Sequence, residues 1–411
     1  MRSEIIAVGS ELLSFSRSDT NSLRIASRFL ALGLRIPRKW VVADLDEEIR
    51  EALLKALEKS EVVAVTGGLG PTSDDRTREV VAAALGRELI QSPEVLRALE
   101  SRYRRFGLQI KENSLRQTMV PEGAEVIPNP KGTAPGLLLR EEGKMVFLLP
   151  GPPRELYPML DEHVVPLIRK SKQTSTQYLR ILKVAGEAES RLDARIQPIY
   201  VEFPQVETTI LSSPGVITLY FRWVGQPDAV VANRTLDHLA GAVRRKLGEK
   251  VFTDDDLSLP EVLGSLLRSQ SLTLATAESC TGGLLGKLLT DVPGSSDYYV
   301  GGVVCYSNRL KSRLLGVDEE MLEQEGAVSG PVAREMAEQV RRRLEADLGL
   351  SVTGIAGPGG GSDQKPVGTV FIGLASARGA EVRQLNLPGG REMVRLRTAR
   401  IALDWVRRSV Q

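Results

Sequence analysis

The stretch EVVAVTGGLGPTSDDRTREVVAAALG, residues 61–86, decides the fold class. Four apolar residues and a β-prone threonine run into a glycine-rich turn, and an acidic start then opens a run with helical apolar spacing. A strand, a tight turn and a helix in that order form the unit of a mostly parallel sheet covered on both faces. The unit recurs on either side. SEIIAVGS (3–10) precedes the helical DTNSLRIASRFLALG (19–33), and the strand IPRKWVVAD (36–44) precedes DEEIREALLKALEKS (46–60). KMVFLLPGPPRELYPML (144–160) repeats the form. Residues 1–168 are therefore expected to make a three-layer α/β domain.

The rest of the chain divides in two. Residues 169–253 read as a small α+β module: LKVAGEAESRLDARIQPI as strand then helix, ETTILSSPGVITLYFRWVG as a hairpin, DAVVANRTLDHLAGAVRRKLG as an amphipathic helix. KLGEKVFTDDDLSLP (246–260), charged and closed by proline, reads as a linker. Residues 254–411 return to α/β, with strands expected in LTLATAES, YVGGVVCYS, LGLSVTG and GTVFIGLAS and a closing helix over 392–410.

Composition narrows the function. Across 411 residues, 54 basic and 52 acidic side chains interleave to a net charge of +2, which gives no electrostatic footprint for nucleic acid or an anionic membrane. No stretch approaches about 18 uninterrupted apolar residues, and MRSEIIAVGSELL does not read as a signal peptide, so a cytoplasmic protein is expected. Two cysteines cannot build a disulfide framework. The two histidines, His163 and His238, sit in helical patterns away from any glycine-rich turn, which argues against a Ser-His-Asp triad or a histidine-ligated zinc.

The third segment nevertheless carries nucleophiles. TLATAESCTGGLLGKLL (273–289) puts Ser279, Cys280 and Thr281 at a strand-to-helix turn, with Gly282 and Gly283 allowing close approach of a ligand to the backbone. Amides at such a turn can be capped by the Ser or Thr side chain, hold a phosphate or meet a developing oxyanion. A nucleophilic serine without histidine needs a lysine of depressed pKa or a carboxylate as its base. CYSNRLKSRLLGV offers Tyr306 and Lys311, VTGIAGPGGGSDQKPVGTV places Thr353 and Gly354 at a strand end, and NLPGGREMVR places Arg391 near a helix start. Cys280 is the rival nucleophile.

AESCTGG, YSN with Lys311 five residues beyond Tyr306, GAVS, TGIAGPGGG, KPVGTV and GGR, in this order, resemble the CinA C-terminal domain, the nicotinamide-nucleotide amidase family. The resemblance covers nearly all of 254–411. It implies hydrolysis of the carboxamide of nicotinamide mononucleotide to nicotinate mononucleotide and ammonia, without a cofactor. Ser279 is then the nucleophile and Lys311 the base, with Tyr306 at the catalytic site. Cys280, Thr281, Gly282, Gly283, Thr353, Gly354 and Arg391 are expected around the substrate, the turn amides near 280–283 supplying oxyanion or phosphate contacts.

In the first segment, Gly67, Gly68 and Gly70 suit a phosphate-cradling turn, and Thr72, Asp74 and Asp75 stand where the next helix begins. Paired carboxylates there either cap the helix or hold a hard cation such as Mg²⁺. Asp44, at a parallel strand end, is placed to join them. GSELL with Glu11, Asp19 and Asn21, GGLGPTSDD, GTAPG with Lys131 just before it and Thr133 and Gly136 within, and LPGPPRE resemble the molybdopterin-binding (MoaB/MogA-like) fold, in the version found at the CinA N-terminus. That resemblance implies divalent-metal-dependent hydrolysis of ADP-ribose, with Asp44 and Asp75 as metal ligands. Substrate contacts are then expected from Glu11, Asn21, Gly67, Gly68, Gly70, Thr72, Asp74, Lys131, Thr133 and Gly136. Leu69 and the Asp74-Asp75 pair depart from the GGTG and Arg-Asp of the pterin binders, which exchanges an anion contact for a possible metal ligand. The middle segment resembles a KH-like module but lacks a GxxG loop and a basic face, so it reads as structural. A homodimer is expected from the resemblance alone. Binding of a pterin or nucleotide without chemistry, and a DNA-linked interaction role, are the alternative readings.

Overall fold

A computed structural model describes residues 1–14, 17–171, 178–225 and 228–411. Its chain forms two compact units, residues 1–177 and 178–411.

In the first unit the strands are β1 (Arg2–Val8), β2 (Arg35–Val42), β3 (Val62–Thr66), β4 (Leu89–Gln91), β5 (Met119–Pro121), β6 (Glu125–Ile127), β7 (Gly136–Glu141) and β8 (Lys144–Leu149). Six of them make one sheet in the order β2-β1-β3-β8-β7-β6. The first four run parallel and the last two antiparallel. Successive residues of a strand face opposite sides, so Ile5, Val62 and Ala64 join the core under the helix Asn21–Ala31, while Ile6, Val63 and Val65 join the one under Asp46–Lys59. Three layers result, as the alternation of strands and helices predicts. The parallel strands finish together at one end of the sheet, Val8 paired with Val42 and Thr66 with both Ala7 and Leu149.

The second unit contains two sheets. Strands β9 (Leu179–Ala185), β10 (Val206–Ser213), β11 (Val216–Trp223) and β12 (Val251–Thr253) form an antiparallel sheet, β10-β11-β9-β12. Helices Glu189–Tyr200 and Ala229–Leu247 cover one face of it. Strands β13 (Leu274–Glu278), β14 (Tyr299–Val304), β15 (Leu348–Gly354), β16 (Thr369–Ser376) and β17 (Gly379–Asn386) form the other, β14-β13-β15-β16-β17, its first three strands parallel. Helices Leu259–Ser269, Leu284–Thr290 and Arg391–Ser409 pack on one face and Gly330–Arg343 on the other.

The expected linker at 246–260 is not one. Residues Val251–Thr253 pair with β9 as a strand. Val251 enters the core of the antiparallel sheet and Phe252 that of the five-stranded sheet. Period-two alternation thus places neighbouring side chains in two cores, each contributing roughly 1.5–3 kcal/mol of burial. The closing helix adds a tie, Arg407 Nη2 donating to the Glu249 carbonyl at 2.6 Å. Three charged residues in a row after Thr253 hid a strand too short to announce itself. No helix among the described residues is long and apolar enough to cross a membrane.

Candidate functional site

The site in the second unit is built at the C-terminal end of β13. Ser279 follows the last strand residue, and its amide donates to the Val352 carbonyl of β15, which fixes the turn to the sheet. Lys311 approaches from the segment after β14 and is 1% exposed. Its Nζ donates to Ser279 Oγ at 3.1 Å and to the Cys305 carbonyl at 3.0 Å. Both partners are uncharged, so no ion pair offsets the loss of water, and burial pulls the Lys311 pKa below its ordinary 10.5. Two groups that the sequence could only propose as partners are thus joined across 32 residues of chain.

Cys280 lies inside the apolar core, and burial pushes its thiol up to about 11. The thiolate that would make it a nucleophile is therefore disfavoured. Of the two candidates in the turn, Ser279 is the one whose side chain meets the Lys311 amine.

The helix Leu284–Thr290 already holds an anion. Glu278, 2% exposed, accepts from the amides of Gly283 and Leu285, each at 3.0 Å, and of Gly286 at 2.9 Å. Gly282 N–H donates to the Ser279 carbonyl at 3.1 Å. The expectation that amides from 280 to 283 face a ligand is corrected accordingly. Gly282 and Gly283 are occupied, whereas among the described residues the Cys280 and Thr281 amides show no hydrogen bond to another residue. Gly283, at φ +91°, takes the left-handed conformation that brings its own amide onto Glu278.

Other expected residues divide. Arg391 donates to the Gly357 carbonyl and to the Tyr306 hydroxyl, both at 2.9 Å, which draws the Tyr306 and Gly357 loops together beside the turn. Thr353 is 1% exposed and donates to the Ala327 carbonyl at 2.7 Å, so its hydroxyl supports the GAVS loop. Gly354 permits strand contact: a Cβ there would stand 2.7 Å from Val370 Cγ2. Sequence reasoning missed Glu278 and Arg395. A lone charge closing an apolar strand signalled the first. The second stands four residues after Arg391 on one helix face, and it donates to the carbonyls of Cys280 (3.1 Å) and Thr281 (2.6 Å).

In the first unit the parallel strand ends open into a cavity of about 420 Å³. Glu11, Asn21, Asp44, Gly67, Gly68, Gly70, Asp74, Asp75 and Thr133 line it as expected. Gly67 is obligatory: at φ +103° a Cβ would lie 2.1 Å from the Val8 carbonyl. Thr72, Lys131 and Gly136 do not line the cavity. Thr72 N–H donates to Asp75 Oδ2 at 2.9 Å, the Lys131 backbone closes onto Asn129, and Gly136 packs below Met159. Glu11, Asp19, Asp44, Asp74, Asp75 and Glu155 make the lining acidic, with Arg17 its one cation among the described residues. Asp44 Oδ2 accepts from Ser10 N–H at 2.8 Å. Among the described residues no three carboxylate, histidine or cysteine groups stand together as a ready-made metal cage. Gln117, 1% exposed, also lines the cavity, and its Oε1 and the Oδ1 of Asn21 have no partner among the described residues.

Residues 256–410 match the family model described as the CinA C-terminal domain, and residues 4–170 match the one described as "Probable molybdopterin binding domain". A CinA-like protein of Acidobacterium capsulatum is 42% identical over 412 residues, covering 99% of each chain. A CinA-like protein of Koribacter versatilis is 40% identical over the whole of both chains. Among solved structures, the competence/damage inducible protein CihA of Agrobacterium tumefaciens is 38% identical, with a TM-score of 0.36, over 39% of this chain and all of its own.

Proposed function

The chain belongs to the CinA family, and on that premise we propose that it is a hydrolase with two sites, both acting on pyridine-nucleotide breakdown products. The second unit would hydrolyse the carboxamide of nicotinamide mononucleotide. What carries this reading is the buried Lys311 Nζ at 3.1 Å from Ser279 Oγ. A neutral amine at that distance accepts the serine proton as Oγ attacks the amide carbon. The developing oxyanion would be met by the Cys280 and Thr281 amides, which bond to no other residue. Lys311 then gives its proton to the leaving nitrogen, and ammonia departs from an acyl-serine. Water attacks the acyl carbon with Lys311 again accepting a proton, which returns to Ser279 as the carboxylate leaves. One water is consumed for each ammonia released.

The first unit would hydrolyse the diphosphate of ADP-ribose. An acidic cavity repels a diphosphate unless cations accompany it, and this is what supports metal dependence. Hard carboxylate oxygens fit Mg²⁺, which keeps several waters and takes one or two protein carboxylates together with substrate phosphates. Asp44 and Asp75 are the proposed ligands, and the ion when bound would neutralise and polarise the phosphate oxygens. Glycines 67, 68 and 70 leave the turn open to close approach, and the Asn21 and Gln117 oxygens await hydroxyl or amine donors of the nucleotide.

Ammonia release from nicotinamide mononucleotide, and AMP release from ADP-ribose with Mg²⁺, test the two halves independently. A folded wild-type protein that yields neither product overturns the reading. ADP-ribose bound without turnover leaves the first unit a binding module.

A further inference from the structure

We propose that Arg395 is a positioning residue of the acyl-transfer site, its guanidinium fixing the peptide planes that present the Cys280 and Thr281 amides. The inference rests on the serine-lysine reading above and adds to it a group that touches no substrate.

In a trans peptide the carbonyl of one residue and the N–H of the next point in opposite directions. All peptide bonds of this turn are trans. Arg395 Nε holds the Cys280 carbonyl at 3.1 Å, so the Thr281 N–H is held pointing away from the guanidinium. Arg395 Nη2 holds the Thr281 carbonyl at 2.6 Å, which fixes the Gly282 N–H in turn. That N–H donates to the Ser279 carbonyl at 3.1 Å, the far side of the peptide that carries the Cys280 N–H. Both unoccupied amides are thereby set by one cation.

The chemistry also favours arginine. Two acceptors on successive residues require a planar fork, which a lysine point charge does not provide. A guanidinium on a carbonyl polarises the peptide and strengthens its N–H as a donor. The fork has a fixed base, because Val394 and Thr398 beside it on the helix Arg391–Ser409 are fully buried. Gly282 takes φ +58°, a left-handed conformation that glycine adopts without strain, beside the guanidinium.

The test uses the full chain with Arg395→Met and Arg395→Lys. Two rates are read: hydrolysis of nicotinamide mononucleotide, separated into kcat and KM, and covalent labelling of Ser279 by a fluorophosphonate. In labelling, Oγ bonds to phosphorus, fluoride leaves, the proton passes to Lys311 and the phosphoryl oxygen takes the oxyanion position. Expected for Arg395→Met is a fall of about 100-fold in kcat, the size of losing one oxyanion donor. KM should stay within about threefold, labelling should slow in parallel, and the melting temperature should hold. Arg395→Lys should recover only part of the rate. Arg395→Met with kcat and labelling both near wild type overturns the inference, as does a loss confined to KM. Should Arg395→Met fail to fold, Arg395→Lys alone decides, and full kcat in that variant overturns the proposal. A wild type that neither releases ammonia nor labels at Ser279 overturns the serine-lysine reading itself. Labelling that depends on Arg395, without turnover of this amide, supports the inference with another amide as substrate.

Discussion

The two sites stand at the ends of parallel strands, yet they are prepared in opposite ways. In the second unit the proposed reacting groups are already in contact, Lys311 on Ser279, and each neighbouring anchor has a protein partner. In the first unit carboxylates surround an open cavity, and two buried amide oxygens have no partner among the described residues. The difference follows from the chemistry each would perform. Attack by an amino-acid side chain needs a base whose pKa is set beforehand, and burial sets it. Displacement at a phosphate needs positioning and charge that the ligand and its cation can bring with them.

The sharpest way to break that contrast is to remove the preassembled pair. Ser279→Ala or Lys311→Ala should lower ammonia release at least about 1000-fold, and the double variant should do little worse, because the two act as a unit. ADP-ribose hydrolysis should be unchanged in all three. Additive losses would mean that the residues do not work together. The pH profile carries the same point. Amidase kcat/KM should rise with pH through the lowered Lys311 pKa and fall away as acid protonates the base. For stability, the folded state binds fewer protons than the unfolded between that lowered pKa and 10.5, so stability should increase with pH across the window. Lys311→Met should lose this rise, read by denaturant unfolding at several pH values.

Chelation is expected to have the next largest effect, and on the other unit alone. Exhaustive treatment with EDTA should reduce ADP-ribose hydrolysis about 100-fold or more, with recovery on adding Mg²⁺, while ammonia release continues. Turnover of ADP-ribose that survives chelation would dissolve the supposed role of the acidic lining.

A smaller loss is expected at Gln117. Gln117→Met keeps the volume but removes an acceptor without a partner among the described residues, along with the long Nε2 bond to the Leu69 carbonyl. If a nucleotide donor fills that position, kcat/KM for ADP-ribose should drop about tenfold, equivalent to about 1.4 kcal/mol. An unchanged value would mean that water, not ligand, meets the oxygen.

How much of this was legible beforehand differs between fold and site. The three-layer unit was readable because its strands are apolar, end on glycine and alternate with amphipathic helices. Ser279 and Lys311 were readable as types in unusual places, but their contact spans 32 residues and depends on how β13 and β14 align. Glu278 was overlooked because a carboxylate closing a strand reads as a solvent-facing end, whereas here a helix start folds back over it. The linker reading failed at Val251–Thr253 because three residues cannot show a period, and their two-core burial exists only once both sheets are present. Lys131 and Thr72 were placed at the ligand by the family resemblance. Backbone turns direct one away from the cavity, and the other is held on Asp75.

The smallest effect should be at Cys280, and it separates the residue that attacks from the one that packs. The thiol is pushed up to about 11 by burial and sits among apolar neighbours. At neutral pH almost no thiolate forms, so a thiol-specific alkylating reagent should leave the folded protein unmodified and active. Cys280→Ala should retain ammonia release within about threefold, since the turn contributes its backbone amide and not its side chain. Its cost should appear instead as about 1 kcal/mol of stability, from the small volume left empty. A Cys280→Ala enzyme that is inactive while well folded would transfer the nucleophile's role to sulfur. The contact between Lys311 and Ser279 would then serve the fold and not the reaction.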